Sequence, residues 1–248
     1  NVKNSTQATA QIYNAQQQEI QSLSQSDLDT GLNYLTWKLD EKSAQLPGAY
    51  VDEETREIPV LPGTYTIVLS YAGTNDTTEV TVIPDPRFEH QPEVDEALYA
   101  LRKQLDKSVA QFATSLNQLA NSDTTARQVL SQLDQLNDSS HQELRKSTQV
   151  IQDKIKALND LAKGRRPEKQ VGAWQSFETT TYSKISDASQ ALRARLVIPS
   201  SQDEELVAQA EQLVKDFRNK VEAFYANEWK SYRQEVTQAN LSWFTSEE

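Results

Sequence analysis

Chemistry at neutral pH needs a base, a nucleophile or a metal ligand, and this chain offers few of each. Its 248 residues include two histidines, His90 and His141, and no cysteine. Disulfides, thiolate catalysis and Cys-bound zinc are therefore excluded, while the redox compartment stays open. No HExxH pattern or tight His/Asp grouping surrounds either imidazole, so both read as surface or interface residues. A nucleophile elbow, a P-loop and a GxGxxG turn are also missing. The six glycines, at 31, 48, 63, 73, 164 and 172, all fall at turns or linkers. Asp27-Leu28-Asp29-Thr30-Gly31 has the D-x-D-x-G opening of a calcium loop, but LNYLTW follows where further ligands and a bidentate Glu belong. It reads as an Asp/Gly turn. Acidic pairs are plentiful but fall on solvated faces, so a glycosidase-type carboxylate pair is the weakest reading. No catalytic, cofactor-binding or metal-binding residue is assigned, and no cofactor is expected.

Two stretches remain as candidates for contact with a partner. Asp52, Glu53 and Glu54 lie in the acidic run 40–57, which would suit a cation or a basic partner but reads first as a solvated loop. Toward the end of the chain Trp174, Phe224, Tyr225, Trp229 and Tyr232 gather at spacings that assign them mostly to packing. Trp243-Phe244 falls outside that stripe and is the better docking anchor. The basic run Lys163–Lys169 reads as a linker. N-x-S/T sequons at Asn4, Asn75, Asn137 and Asn240 are expected by chance in a chain so rich in Asn, Ser and Thr.

The elements that would position these residues fall into two territories. Pro62-Gly63 is a turn signal. After it Tyr65, Ile67, Leu69 and Tyr71 alternate with Thr64, Thr66 and Ser70, and Val80 and Val82 return along 79–83, which predicts a hairpin closed by residues 72–76. Ala8, Ala10 and Ile12 alternate likewise, as do Leu35, Trp37 and Leu39, with a weaker strand at Ile20 and Leu23. About five short strands with one apolar face need a second layer, which predicts a small β-sandwich.

Beyond Pro92 the period changes to 3.6. Val94, Leu98, Leu101, Leu105, Val109, Phe112, Leu116 and Leu119 form one stripe. Asn121-Ser122-Asp123 is expected to break it, with Asp123 or Thr124 capping the next helix. The second stripe runs from Leu130 to Ala162 and stops at Gly164. A third carries Trp174, Phe177, Tyr182, Ile185, Leu192 and Leu196. A fourth, capped by Ser200-Ser201, carries Leu206, Ala210, Leu213, Phe217, Val221, Phe224 and Trp229. The fold expected is α+β and multidomain: an Ig-like/FnIII-like β-sandwich over 1–86, then an antiparallel four-helix bundle over 87–248 with a linker at 163–172.

Composition agrees with a protein of long two-faced helices. Hydrophobic residues make up 37% of the chain and the mean hydropathy is −0.70. The net charge of −11 leaves no positive footprint for nucleic acid. No apolar run approaches 18 residues, so no transmembrane helix is expected, and no signal-peptide pattern opens the chain. A Met-free chain beginning at Asn1 reads as a processed or excised part of something larger.

The series Gly31-Leu32-Asn33-Tyr34-Leu35-Thr36-Trp37, then Leu61-Pro62-Gly63-Thr64-Tyr65-Thr66-Ile67, then Val80-Thr81-Val82-Ile83-Pro84-Asp85-Pro86-Arg87 resembles the C-terminal region of secreted bacterial β-propeller proteins. These are the proteins described as BNR-repeat glycosyl hydrolase-like or sortilin-like. The likeness covers about residues 8–248 and is carried by the β part. Leu61 stands where the first of two prolines is usual, and the acidic insert is longer. The Asp-box repeat S-x-D-x-G-x-T-W of the propeller blades does not occur here. The resemblance implies a non-catalytic accessory or interaction region of an extracytoplasmic bacterial protein, with the parent β-propeller domain as partner; the wide apolar stripes of the helices would also suit another protein or a second copy of the chain. Two alternatives stand beside it: a stand-alone module that binds a protein or glycan, and the carboxylate-pair enzyme.

Overall fold

The structure, a computed structural model, describes residues 7–47, 57–87, 89–136, 141–164, 179–193 and 195–239. It is mixed α+β, with a small antiparallel sheet and four long helices. The chain divides into two compact units that do not follow chain order. The first comprises Asn1–Ala44, Asp52–Asp106 and Ser189–Glu204; the second comprises Gln45–Val51, Lys107–Ala188 and Glu205–Glu248.

In the first unit, strands β1 (Ala8–Tyr13), β2 (Glu19–Gln25), β5 (Gly63–Tyr71) and β6 (Thr74–Val82) form one antiparallel sheet in the order β2-β1-β5-β6. Between β2 and β5 in sequence, β3 (Asp40–Glu41) and β4 (Ile58–Pro59) pair in a two-stranded ladder. The hairpin β5–β6 is tighter than the alternation suggests. Ala72 and Gly73 both take left-handed φ, 50° and 80°, which is the two-residue turn that matches strand twist. β6 therefore begins at Thr74 rather than 79. Ile12, Ile20, Val60 and Tyr65 are buried together, and Leu23, Trp37, Ile67 and Val82 pack around them.

The strand expected over Leu35–Leu39 does not form. A period of two reports which way side chains face and says nothing about a hydrogen-bonding neighbour. Here Gly31 and Leu39 have positive φ, Leu32 and Tyr34 are 78% and 75% exposed, and Trp37 turns inward.

Helix α1 (Pro92–Leu136) runs 45 residues without a break. It passes through Asn121-Ser122-Asp123 because Ser122, Asp123, Thr124 and Thr125 each find a partner within the helical unit. Thr124 and Thr125 donate to the carbonyls of Ala120 and Asn121, four residues back, Asp123 pairs with Arg127, and Ser122 is buried against the Tyr225 hydroxyl at 2.8 Å. The stripe expected to form a single second helix is thus divided between the end of α1 and α2 (Gln142–Lys163). α3 spans Thr181–Arg193 and α4 spans Ser201–Phe224. A π-helical turn, Tyr225–Trp229, continues α4 into α5 (Lys230–Gln238).

The start of α4 is capped as the sequence anticipates. Ser200 Oγ accepts the Asp203 N–H at 3.3 Å, and Asp203 accepts the Ser200 N–H at 2.7 Å, a reciprocal capping box. Arg195 also grips the Asp203 carboxylate.

In the second unit the contacts fix helix directions. Ser108, Phe112 and Ser122 of α1 meet Glu211, Phe217 and Tyr225 in turn, so α1 and α4 run parallel. Thr148 and Lys154 of α2 meet Tyr232 and Glu228, so α2 is antiparallel to that run. A uniformly antiparallel bundle is therefore not what these contacts describe. The reason is length: at about 1.5 Å per residue, 22 residues of α2 cover only about half of α1. Lys163, at the end of α2, lies over the ring of Tyr182 in α3. Tyr182 in turn packs edge-on against Phe112 of α1, at 5.2 Å between ring centroids.

Candidate functional site

The most developed polar site lies in the first unit beside β2 and β3. Alternation in β3 turns Glu41 inward. β3 is fixed by the Trp37 indole N–H donating to the Asp40 carbonyl at 2.8 Å and by the Lys42 N–H donating to the Ile20 carbonyl at 2.8 Å. From α1, Tyr99, Lys103 and Asp106 follow one another at helical spacing on one face. Tyr99 donates to Glu41 Oε1 at 2.6 Å, Lys103 donates to Oε2 at 2.7 Å, and Asp106 accepts the Ala44 N–H at 2.7 Å. Glu41 is 6% exposed, so its carboxylate is withdrawn from water but holds a donor on each oxygen. Burial, the hydrogen bond to Glu41 and the charge of Glu41 together push the Tyr99 phenol well above its ordinary range. Burial and the same carboxylate raise the Tyr65 phenol.

A cavity of about 320 Å³ opens beside this triad. Its walls are Asn14, Gln18, Gln21 and Ser22 with Glu19, Lys42 and the Glu41–Tyr99–Lys103 group. Glu19 accepts the Gln11 amide at 2.8 Å. Sequence reasoning missed Glu41, because its partners lie 58 and 62 positions downstream and no local pattern announces them.

The second unit carries an aromatic group around the π turn. The Phe224, Tyr225 and Trp229 rings lie within 5.2–6.2 Å of one another, and Tyr232 lies 5.5 Å from Trp229. Burial raises the Tyr225 and Tyr232 phenols despite hydrogen bonds to Ser122 and Thr148. Phe224 and Tyr232 are buried while Tyr225 and Trp229 are half-buried, and helical spacing of three places Trp229 beside Tyr232.

Of the contact candidates, Trp243, Phe244, Asp52, Glu53 and Glu54 lie outside the described residues, as does Trp174. His90 pairs with Asp95 at 3.3 Å in the first unit, and His141 precedes α2 in the second. The Asp27–Gly31 turn is closed by Asn33, whose side chain accepts the Asp29 N–H and donates to the Asp29 and Gly31 carbonyls. Among the described residues no group of three acidic, His or Cys side chains is placed to hold a metal, and no helix is long and apolar enough to cross a membrane. Comparison with protein-family models, curated proteins and solved structures found no match to this chain.

Proposed function

We propose that this chain is a non-catalytic accessory and interaction region of a larger extracytoplasmic bacterial protein, built as a small Ig-like sandwich followed by a helical bundle. The observation that carries this reading is how its buried carboxylates are occupied. Among the described residues Glu41 and Asp203 are the buried ones, and both are held in place by donors: Glu41 by Tyr99 and Lys103, one on each oxygen, and Asp203 by Ser200 and Arg195 on Oδ2. Carboxylates so held anchor a fold, whereas general acid–base work needs one carboxyl kept free to give its proton to substrate.

The sandwich half of the proposal is supported by Tyr65. It stands near the start of β5 and donates to the Leu61 carbonyl, four residues upstream, at 2.6 Å. That is the arrangement of a tyrosine corner in Greek-key sandwiches. Trp37 packs edge-on against the same ring at 5.4 Å. A parent β-propeller as partner is supported by the PGTYTI…DPR resemblance. An antibody raised against this chain is expected to detect, in the secreted or periplasmic fraction of the source cells, a polypeptide far longer than 248 residues; a cytoplasmic species of this length overturns the placement. Aryl glycosides and peptides should not be turned over by the purified chain. Turnover abolished in a folded Glu41→Gln variant would establish the enzyme reading instead.

A second reading, a stand-alone binding module, is favoured by the polar cavity beside Glu41.

A further inference from the structure

We infer that the cavity between β2, β3 and α1 binds a small neutral, hydroxyl-rich ligand, a saccharide of one or two rings. This rests on the reading of the chain as a binding rather than a catalytic region. The first support is charge balance. Glu19 and Glu41 face Lys42 and Lys103 around one cavity, so neither an anion nor a cation finds a net field of opposite sign. The second is the pattern of hydrogen-bonding groups. A sugar hydroxyl donates and accepts at once, and needs both kinds of partner within reach. Carboxylate oxygens and amide carbonyls supply the acceptors. Lys42, Ser22 and the Gln18 amide N–H2 supply donors that no other described group occupies.

The third support is preorganisation. Glu41 is buried and fixed by Tyr99 and Lys103, so its remaining lone pairs are aimed before any ligand arrives. Asn14 is held likewise, its carbonyl accepting the N–H groups of Gln16 and Gln18 at 3.0 Å each. Size and lining complete the case. A cavity of about 320 Å³ is near the lower end of small-molecule sites, about 300–1,000 Å³. Ile20 and Tyr99 are the only apolar or aromatic side chains among its lining residues, which suits a pyranose better than a hydrophobic ligand.

Saturation-transfer NMR of the full 248-residue chain with glucose, galactose, N-acetylglucosamine, cellobiose and maltose at millimolar concentration tests the inference. At least one sugar is expected to show transfer. Gln18→Ala and Lys42→Ala, both at exposed positions where the fold tolerates truncation, should each weaken binding about tenfold, the loss of one well-placed hydrogen bond. The inference is overturned if no neutral sugar binds, if both variants bind as the parent does, or if galacturonate or glucosamine binds more tightly than every neutral sugar. Aryl glycosides of the same sugars separate this inference from the reading beneath it. Binding with turnover keeps the site and removes the non-catalytic reading; neither binding nor turnover removes the site and leaves that reading standing.

Discussion

Tyr99 is the residue whose titration reports most directly on the first unit. In the unfolded chain its phenol ionises near the ordinary value of about 10; in the folded protein, burial and Glu41 hold the proton on to higher pH. The stability this contributes is complete below about pH 10 and is lost as pH rises toward the folded value. Carbon-13 NMR of labelled tyrosine should show the Tyr99 phenol unchanged through its ordinary range, and a normal titration would refute the Glu41 contact. Tyr99→Phe leaves one oxygen of a buried carboxylate without its donor and should cost about 1–3 kcal/mol in urea unfolding. Asp203 obeys the opposite sign. Burial works to raise its pKa, but the Ser200 hydroxyl and N–H and the Arg195 guanidinium outweigh it and hold the carboxyl below its ordinary range. Its contribution is present above about pH 4 and disappears as the solution is acidified through the folded value. Asp203→Ala should therefore cost about 1–2 kcal/mol at neutral pH, with faster amide exchange in the first turn of α4 and a smaller difference from wild type in acid. The Ser200 cap could be read from sequence because its partner is three residues away; Glu41 could not.

At the scale of elements, apolar period was informative and breaker residues were less so. β1, β2 and β5 appear where alternation places them, while β6 starts at Thr74, five residues before the alternation does. The 35–39 strand fails because alternation carries no information about a neighbour. The expected break at 121–123 fails for a different reason. Ser, Asp and Thr stop a helix only when an N-terminus offers them free N–H groups; inside a helix they can bond back to the preceding turn. Ser122 does more, since its hydroxyl meets Tyr225 across the interior of the second unit. A double-mutant cycle of Ser122→Ala and Tyr225→Phe should give a coupling of about 0.5–1.5 kcal/mol in chemical denaturation. Zero coupling, or Cα shifts leaving helical values at 121–123, would restore the break. Phe112 is the more costly deletion. It is fully buried between Tyr182 and Phe217, and Phe112→Ala should destabilise the second unit by about 3–5 kcal/mol, read as a lowered urea midpoint.

For the whole molecule, the change of period near Pro92 marks where strands give way to helices, but folding units need not end where secondary structure changes. The N-terminal sheet shares its unit with residues 92–106 of α1 and with 189–204. The chemistry at that junction explains why. Without α1 the Glu41 carboxylate would lose both donors and the Ala44 N–H its acceptor, and the face of β3 that meets α1 would be opened to water. A sheet of this size has little stability to spare against such losses. A fragment ending at Pro86 should therefore unfold at markedly lower urea concentration than one extended to Asp106. Trp37, the one tryptophan before residue 174, gives a clean fluorescence signal in both. Glu41→Gln in the longer fragment should remove part of the difference, because a neutral amide loses the ion pair with Lys103 and sets an N–H2 group against a donor. If both fragments unfold at one midpoint and the Gln variant changes nothing, the sheet is stable through its own core alone and the α1 contacts are peripheral to it.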